Sequence, residues 1–432
     1  MRTIGKEIFS SALKERFKVC EKDFTRNRKQ SFSSTLLFMM NFLRKSLTLE
    51  IENFVTHLKK DCGLVNFSSF TKSAFVQCRK KIQPEVFNRL NSTLVDEFYS
   101  DNDLGIKLWN GFRVLAIDGS SINLPFTEKL KKIYGFTKNQ TNTGVVQARV
   151  SVVYDVLNNY VLDGILSKRT VGERALALHH LKKSKVNDFI IYDRGYPSYD
   201  FIFEHYKRNL AFLFRTKTSF NTRTKAFIQS GKTSQIVEIY PGKSATTIDK
   251  GYDENTPIKV RLIRVDLPSG ETELLITSLL DSKKYAHKIF KELYFKRWKV
   301  ETYYDELKNK LKVEYFSGYS HQSILQDFNA ALFISNLQTL IASDLEDEIK
   351  QVTKTREFNY KVNNNLSYGF LKDRVITLFF NNQNMEEVLN ELKMLFKKEL
   401  VPIRPNRSNE RNTAKYRRRG KPKVTKNQKD TI

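Results

Sequence analysis

The sequence predicts an α/β fold: a mixed sheet with helices packed on it, preceded by a helical domain and interrupted by a β-rich insertion. Three observations carry this. Two short apolar runs, FRVLAIDGS (112–120) and NDFIIYDRGY (187–196), read as buried strands, each closing on an aspartate. The run between them, GVVQARVSVVYDVLNNYVLDGIL (144–166), alternates about the turn Leu157-Asn158-Asn159 as a β-hairpin does. The stretch YFKRWKVETYYDELKNKLKVE (294–314) has no Pro or Gly and is rich in straight-chain helix formers, so it reads as one long helix.

In chain order, residues 1–105 read as short helices joined by polar turns. Ser69 or Thr71 can cap a helix running to Ile82, and Pro84 stops it or opens the next. Arg79 and Lys80 lie late in that helix, which makes this front either a DNA-binding helical module or a generic helical domain. Residues 106–217 hold the two strands and the hairpin, then a helix and a strand. Residues 218–290 are rich in Thr, Val, Ile and Lys, and VRLIRVDL and ETELLITSLL pair around Pro268-Ser269-Gly270. Residues 291–345 carry the long helix and an apolar core helix. Residues 346–432 read as further helices and then a basic end containing Arg417, Arg418 and Arg419. That end is either a solubilising disordered tail or an arm that binds phosphates.

Length and charge narrow the class. The chain has 432 residues, room for two or three domains, and a formal net charge of +27. So basic a folded protein points to a polyanion, most simply nucleic acid, with an anionic membrane surface as the weaker alternative. No apolar run approaches a membrane span. Cys20, Cys62 and Cys78 are scattered, which points to a reducing cytoplasm and no structural zinc.

The acids suggest chemistry. Asp118 and Asp193 each close a strand, and Tyr294, Arg297, Glu301 and Lys308 recur on one face of the long helix beside an apolar stripe of Leu293, Val300, Leu307 and Leu311. If the two strands are neighbours, three carboxylates meet, and they repel unless a cation neutralises them. Oxygen ligands without a His or Cys cluster favour Mg²⁺ or Mn²⁺. Asp155 lies beside the hairpin turn, Asp188 opens the strand that Asp193 closes, and Asp200 reads as a helix-start acid.

Tyr294-x2-Arg297-x3-Glu301-x6-Lys308 matches the YREK signature of the IS4-type transposases, and AIDGS at Asp118 and YDRGY at Asp193 resemble that family's two aspartate motifs. The resemblance covers roughly residues 33–340. It implies a ribonuclease H-like catalytic core whose DDE triad is Asp118, Asp193 and Glu301, holding Mg²⁺, with Mn²⁺ as a substitute. It implies that Tyr294, Arg297 and Lys308 hold the DNA end. Arg194 is a further candidate DNA contact, and Trp298, directly after Arg297, either packs in the core or stacks on a base. The expected partners are double-stranded DNA with terminal inverted repeats, target DNA, and a second copy of the chain in a paired-end complex at the bacterial nucleoid. The expected activity is cut-and-paste strand transfer. A nuclease that does not join, or an inactive DNA-binding regulator, are the alternatives.

Overall fold

The computed structural model describes residues 1–404 apart from 27, 42, 44, 102–104, 139–143, 243–250 and 381–384. Six helices come first: α1 (Arg2–Ile8), α2 (Ser11–Phe17), α3 (Phe32–Met40), α4 (Leu47–Lys60), α5 (Lys72–Arg79) and α6 (Glu85–Asp101). Their starts follow local chemistry. Ser31 and Ser34 form a reciprocal capping box at α3, and the Thr71 hydroxyl accepts from the Ala74 amide at α5. Thr71, rather than Ser69, is therefore the cap, and the helix closes at Arg79, short of Ile82.

The sheet follows, with β1 (Arg113–Leu124), α7 (Glu128–Tyr134), β2 (Phe136–Lys138), β3 (Gly144–Asp155), β4 (Val161–Lys168), α8 (Glu173–Leu181), β5 (Asp188–Tyr192), α9 (Tyr199–Lys207) and β6 (Ala211–Thr216). β3 and β4 are the expected hairpin. Asp155 closes it, accepting from the Leu157 and Asn158 amides, both at close range. β1 runs antiparallel to β3, and β5 and β6 run parallel to β1. Three antiparallel strands continued by two parallel ones form the ribonuclease H-like sheet that the sequence implies.

Next come α10 (Thr222–Gln229), β7 (Ser234–Ile239), β8 (Ile258–Asp266) and β9 (Thr272–Thr277). These strands do not form a separate sheet. β9 pairs antiparallel with β6, and β8 and β7 continue outward, so the strand order reads β2-β3-β1-β5-β6-β9-β8-β7, with β4 pairing β3 beside β2, on the edge away from β1. The reason lies in β6: its outer edge is left unpaired by the core, and an open strand edge is satisfied by any complementary strand the chain can return.

The chain ends with α11 (Ile289–Phe295), α12 (Trp298–Asp305), α13 (His321–Ser343), α14 (Glu346–Val352), β10 (Asn359–Val362), α15 (Asn364–Leu371), α16 (Arg374–Phe380), α17 (Met385–Lys398) and β11 (Leu400–Ile403). The 23-residue α13 is the spine, packed against α3, α6, β4 and α17. Leu332 of this helix packs directly on the β4 backbone: a Cβ on Gly164 would lie 2.4 Å from its methyl. The front helices share one continuous core with β1, α12 and α13. Along β1, Val114 and Ala116 face that core, while Leu115 and Ile117 face a second one built with α8 and α9.

Two expectations need correction here. The stretch 294–314 is not one uniform helix. Between α11 and α12 the amides of Arg297, Lys299 and Val300 bond three residues back, a tight turn, while the Leu311 amide reaches five residues back to Glu306, closing a π-turn over Glu306–Lys310. The apolar stripe Leu293, Val300, Leu307 and Leu311 is buried as its spacing predicts. Secondly, Arg79 does not face outward. It is 3% exposed; its guanidinium pairs with Asp327 at 2.8 Å and donates to Gln326 at 2.9 Å and Ser317 at 2.7 Å. The basic run that looked like a DNA-facing patch spends its first residue on fastening α5 to α13. Lys80 remains exposed. Arg417, Arg418 and Arg419 lie outside the described residues.

Candidate active site

The parallel pairing of β1 with β5 sets Arg113 beside Asp188 and Ala116 beside Ile191. Carrying that register two residues further brings Asp118 and Asp193 level on adjacent strands. Asp193 follows the last residue of β5, as expected, but Asp118 does not close its strand: β1 runs on to Leu124, held by its pairing with β3. Both carboxyls are only partly covered. The third acid comes from α12, whose buried Val300 and Tyr304 fix its face to the sheet. The Tyr304 hydroxyl donates to the Asp118 backbone carbonyl at 2.7 Å, tying this helix to the first acid.

At the centre lies Arg297, 2% exposed. Its Nη2 donates to Glu301 Oε1 at 2.9 Å and its Nη1 lies 3.7 Å from Asp118 Oδ2. Asp193 accepts from the Tyr294 hydroxyl at 3.1 Å and lies 3.5 Å from Arg215 Nε. Lys308 donates to Ser120 Oγ at 2.6 Å, two residues along β1 from Asp118 on the same face. Asp118 and Glu301 thus meet Arg297 and Asp193 meets Tyr294, whereas Lys308 meets Ser120 and none of the three acids. Trp298, 41% exposed, lies beside the Arg297 guanidinium, whose centre is 4.9 Å from its ring. Arg194 is exposed next to Asp193.

The two aspartates are held differently. Burial pushes the Asp118 carboxyl up to about 6, against the Gly119 amide and Arg297, which pull it down. Burial also raises Asp193, but the Arg194 amide, Arg297, Arg215 and the Tyr294 hydroxyl together hold it below the usual value. Burial lowers Lys308.

A divalent cation suits this donor set, which is all hard oxygen. Among the described residues no three acid, histidine or cysteine side chains form a ready-made metal cage; the triad is gathered about the Arg297 guanidinium. Two of that group's nitrogens, Nε and Nη1, are buried without a hydrogen-bond partner. Buried donors of this kind are costly unless something accepts from them, and an anionic oxygen would.

Tyr304 and Arg215 had no clear signal in the sequence, whereas Glu314 stands out there six residues beyond Lys308 as a candidate for a supporting role. Tyr304 looks like one more aromatic in a helix. Arg215 closes an apolar strand, where only the β6–β9 pairing, with Glu273 2.6 Å from its Nη1, shows its place. Glu314 accepts from the Asn123 amide at 2.9 Å and ties the end of the helical stretch to β1. The decoy acids are structural: Asp155 is a turn acid, and Asp188 is buried against Arg113 at 2.7 Å.

A ribonuclease H-like sheet carrying one acid on each of two adjacent strands and a third on a following helix defines a DDE-type phosphoryl-transfer protein. The chain belongs to the transposase DDE domain family, whose model matches residues 109–337, just over half of the sequence. This family works by metal-dependent phosphoryl transfer. The chain also resembles the cryo-EM structure of the piggyBac transposase synaptic complex with hairpin DNA, at 10% identity and a TM-score of 0.45, over 96% of this chain and 89% of that one. No curated protein matches the chain. Among the described residues no helix is long and apolar enough to cross a membrane.

Proposed function

We propose that this chain is the transposase of an insertion sequence, which cuts the ends of its element and joins the freed 3′-hydroxyls to target DNA by a cut-and-paste route. The observation that carries the reading is the gathering of Asp118, Asp193 and Glu301 around the buried Arg297. Those three carboxylates would hold Mg²⁺, or Mn²⁺ in its place. Bound there, such ions activate an attacking oxygen and offset charge on the leaving oxygen of an in-line displacement at phosphorus.

The remaining chemistry belongs to the side chains. Arg297 would turn its unpartnered Nε and Nη1 to a phosphate oxygen, where its fixed fork binds two acceptors at once. Tyr294 orients the Asp193 carboxylate through its hydroxyl. Lys308, held over Ser120, would meet the next phosphate as a point charge. Exposed Trp298 and Arg194 flank this line and would contact the DNA end. Lys80 on the helical front and the basic end with Arg417, Arg418 and Arg419 would add backbone contacts away from the reacting atoms. The partners are double-stranded DNA bearing terminal inverted repeats and target DNA, bridged by two copies of the chain.

The test uses a plasmid carrying the gene with its native flanks, purified full-length protein, and Mg²⁺ or EDTA. Breaks and joints are mapped to the nucleotide beside the Asp118→Asn variant. Metal-dependent cuts at paired repeats, with a fragment joined elsewhere and neither product from the variant, are expected. Cuts without joints would make the chain a nuclease. Cuts equal in the variant would remove Asp118 from the site.

A further inference from the structure

The helical stretch that carries Tyr294, Arg297, Glu301 and Lys308 changes pitch between its last two members. After Glu301 the backbone passes from α12 into the π-turn over Glu306–Lys310, where the Leu311 amide reaches back five residues to the Glu306 carbonyl. A turn closed over five residues is wider than an α-helical turn closed over four. Side chains in and beyond it are therefore rotated about the axis relative to those before it. Lys308 lies inside this turn. Its Nζ donates to Ser120 Oγ at 2.6 Å, two residues along β1 from Asp118. The direction in which Lys308 points is thus set by the π-turn as well as by the spacing from Glu301.

A π-turn is rare and needs support from outside the helix. Here the first residue of the turn, Glu306, provides the attachment. Its side chain is buried and reaches α15, where the Asn364 Nδ2 donates to Oε2 at 2.6 Å and the Tyr368 hydroxyl donates to Oε1. Asn364 and Tyr368 are four residues apart, so one face of α15 presents both donors. Lys310, at the other end of the turn, brings its Nζ to 3.5 Å from the same Oε2. A buried carboxylate is costly unless its oxygens are satisfied, and these three groups satisfy both of them. The acid takes no part in the chemistry assigned to Asp118, Asp193 and Glu301.

We propose that Glu306 is a positioning residue for Lys308: its bonds to Asn364 and Tyr368 hold the π-turn, and the π-turn aims Lys308 along β1 at a DNA phosphate. The inference rests on the reading of Lys308 as a phosphate contact. Through Glu306 the packing of α15 bears on DNA binding. Charge alone predicts the opposite sign. Deleting an acid from a protein that binds a polyanion strengthens binding, the more so when it releases a lysine such as Lys310. Loss of positioning weakens binding, because the Lys308 ammonium no longer meets its phosphate.

The test is a salt series of DNA binding in EDTA, so that no turnover intervenes. Full-length protein is titrated with a labelled duplex copied from the gene's native flank, below the thermal midpoint of each variant. Lys308→Met should lower the salt slope by about one. Glu306→Met keeps most of the volume and removes both acceptors, so it should weaken binding and lower the slope by the same amount. Tyr368→Phe removes a single hydroxyl from the partner side and should lower the slope in the same direction; it carries the test if Glu306→Met does not fold. Glu306→Gln keeps an acceptor for Tyr368 and should retain the wild-type slope. In Glu306→Met/Lys308→Met the slope should fall no further than in Lys308→Met alone. A slope kept or raised in Glu306→Met and Tyr368→Phe, beside a loss in Lys308→Met, would overturn the positioning role and leave Lys308 as a phosphate contact. Additive losses in the double variant would overturn it as well. An unchanged slope in Lys308→Met would remove the phosphate contact and the inference with it.

Discussion

Replacing Arg79 with Met separates two roles that the sequence leaves open. The Arg79 side chain is buried between α5 and α13, pairs with Asp327 at 2.8 Å, and donates to Gln326, Ser317 and the Ser323 carbonyl. Removing the guanidinium takes the Arg79 charge away from the Asp327 carboxylate, itself about 10% exposed. Breaking a buried ion pair from one side costs about 3–5 kcal/mol. Met retains most of the side-chain volume, so little of that cost comes from a cavity. The expected result is a fall of several degrees in the thermal midpoint, partly recovered in Arg79→Met/Asp327→Leu, where neither charge is left alone. Below the midpoint, DNA affinity measured across a salt series should keep its slope, because no phosphate contact has been removed. An unchanged midpoint with a slope reduced by about one would refute the structural role and return Arg79 to the DNA surface.

Asp118→Asn should show a pH signature in EDTA. Below pH 4 the Asp118 carboxyl is protonated in folded and unfolded chains alike and costs nothing; above its folded value of about 6 it is charged in both, and the fold carries the full cost of burying that charge. The variant should therefore be more stable than wild type by about 3 kcal/mol at pH 7.5, with the gap closing as pH falls from 6 to 4; a gap independent of pH in denaturant melts would contradict the buried-acid account. Tyr294→Phe removes one hydrogen bond to the Asp193 carboxylate, so single-turnover cleavage should slow by about tenfold or more, and an unchanged rate would show that the hydroxyl does not orient the acid. Lys308→Met should lower the salt slope of end-DNA binding by about one, whereas Ser120→Ala should not; equal slopes for Lys308→Met and wild type would remove Lys308 from the phosphate track.

Much of the site was legible as linear text because its parts are local. Asp118 and Asp193 each close a short apolar run of sequence; Asp193 does follow the end of β5, whereas β1 continues past Asp118 to Leu124 because it pairs with β3 from Leu115 onward. Arg297, Glu301 and Lys308 recur at helical spacing beside Leu293, Val300, Leu307 and Leu311, a stripe that could only face a core. The hairpin was legible from alternation about Asn158-Asn159, and the β8–β9 pair from its Pro-Ser-Gly turn. Helix continuity was misjudged because propensity averages over a stretch. The tight turn at Arg297 and the wide turn at Glu306 are imposed by packing: Glu306 is drawn to Tyr368 and Asn364 of α15, groups some sixty residues away.

The sequence alone determined the fold class and singled out the three acids as candidates, since each reading depends on periodicity or on neighbours within a few residues. Only the tertiary structure decided what each charge does. Arg79 and Arg297 are both arginines within helical stretches bearing other basic residues. One meets Asp327 and fastens two helices, and the other meets Asp118 and Glu301 and keeps two donors free. A charge takes its role from the partner it finds and from the water it loses, and both are set by contacts between residues far apart in the chain.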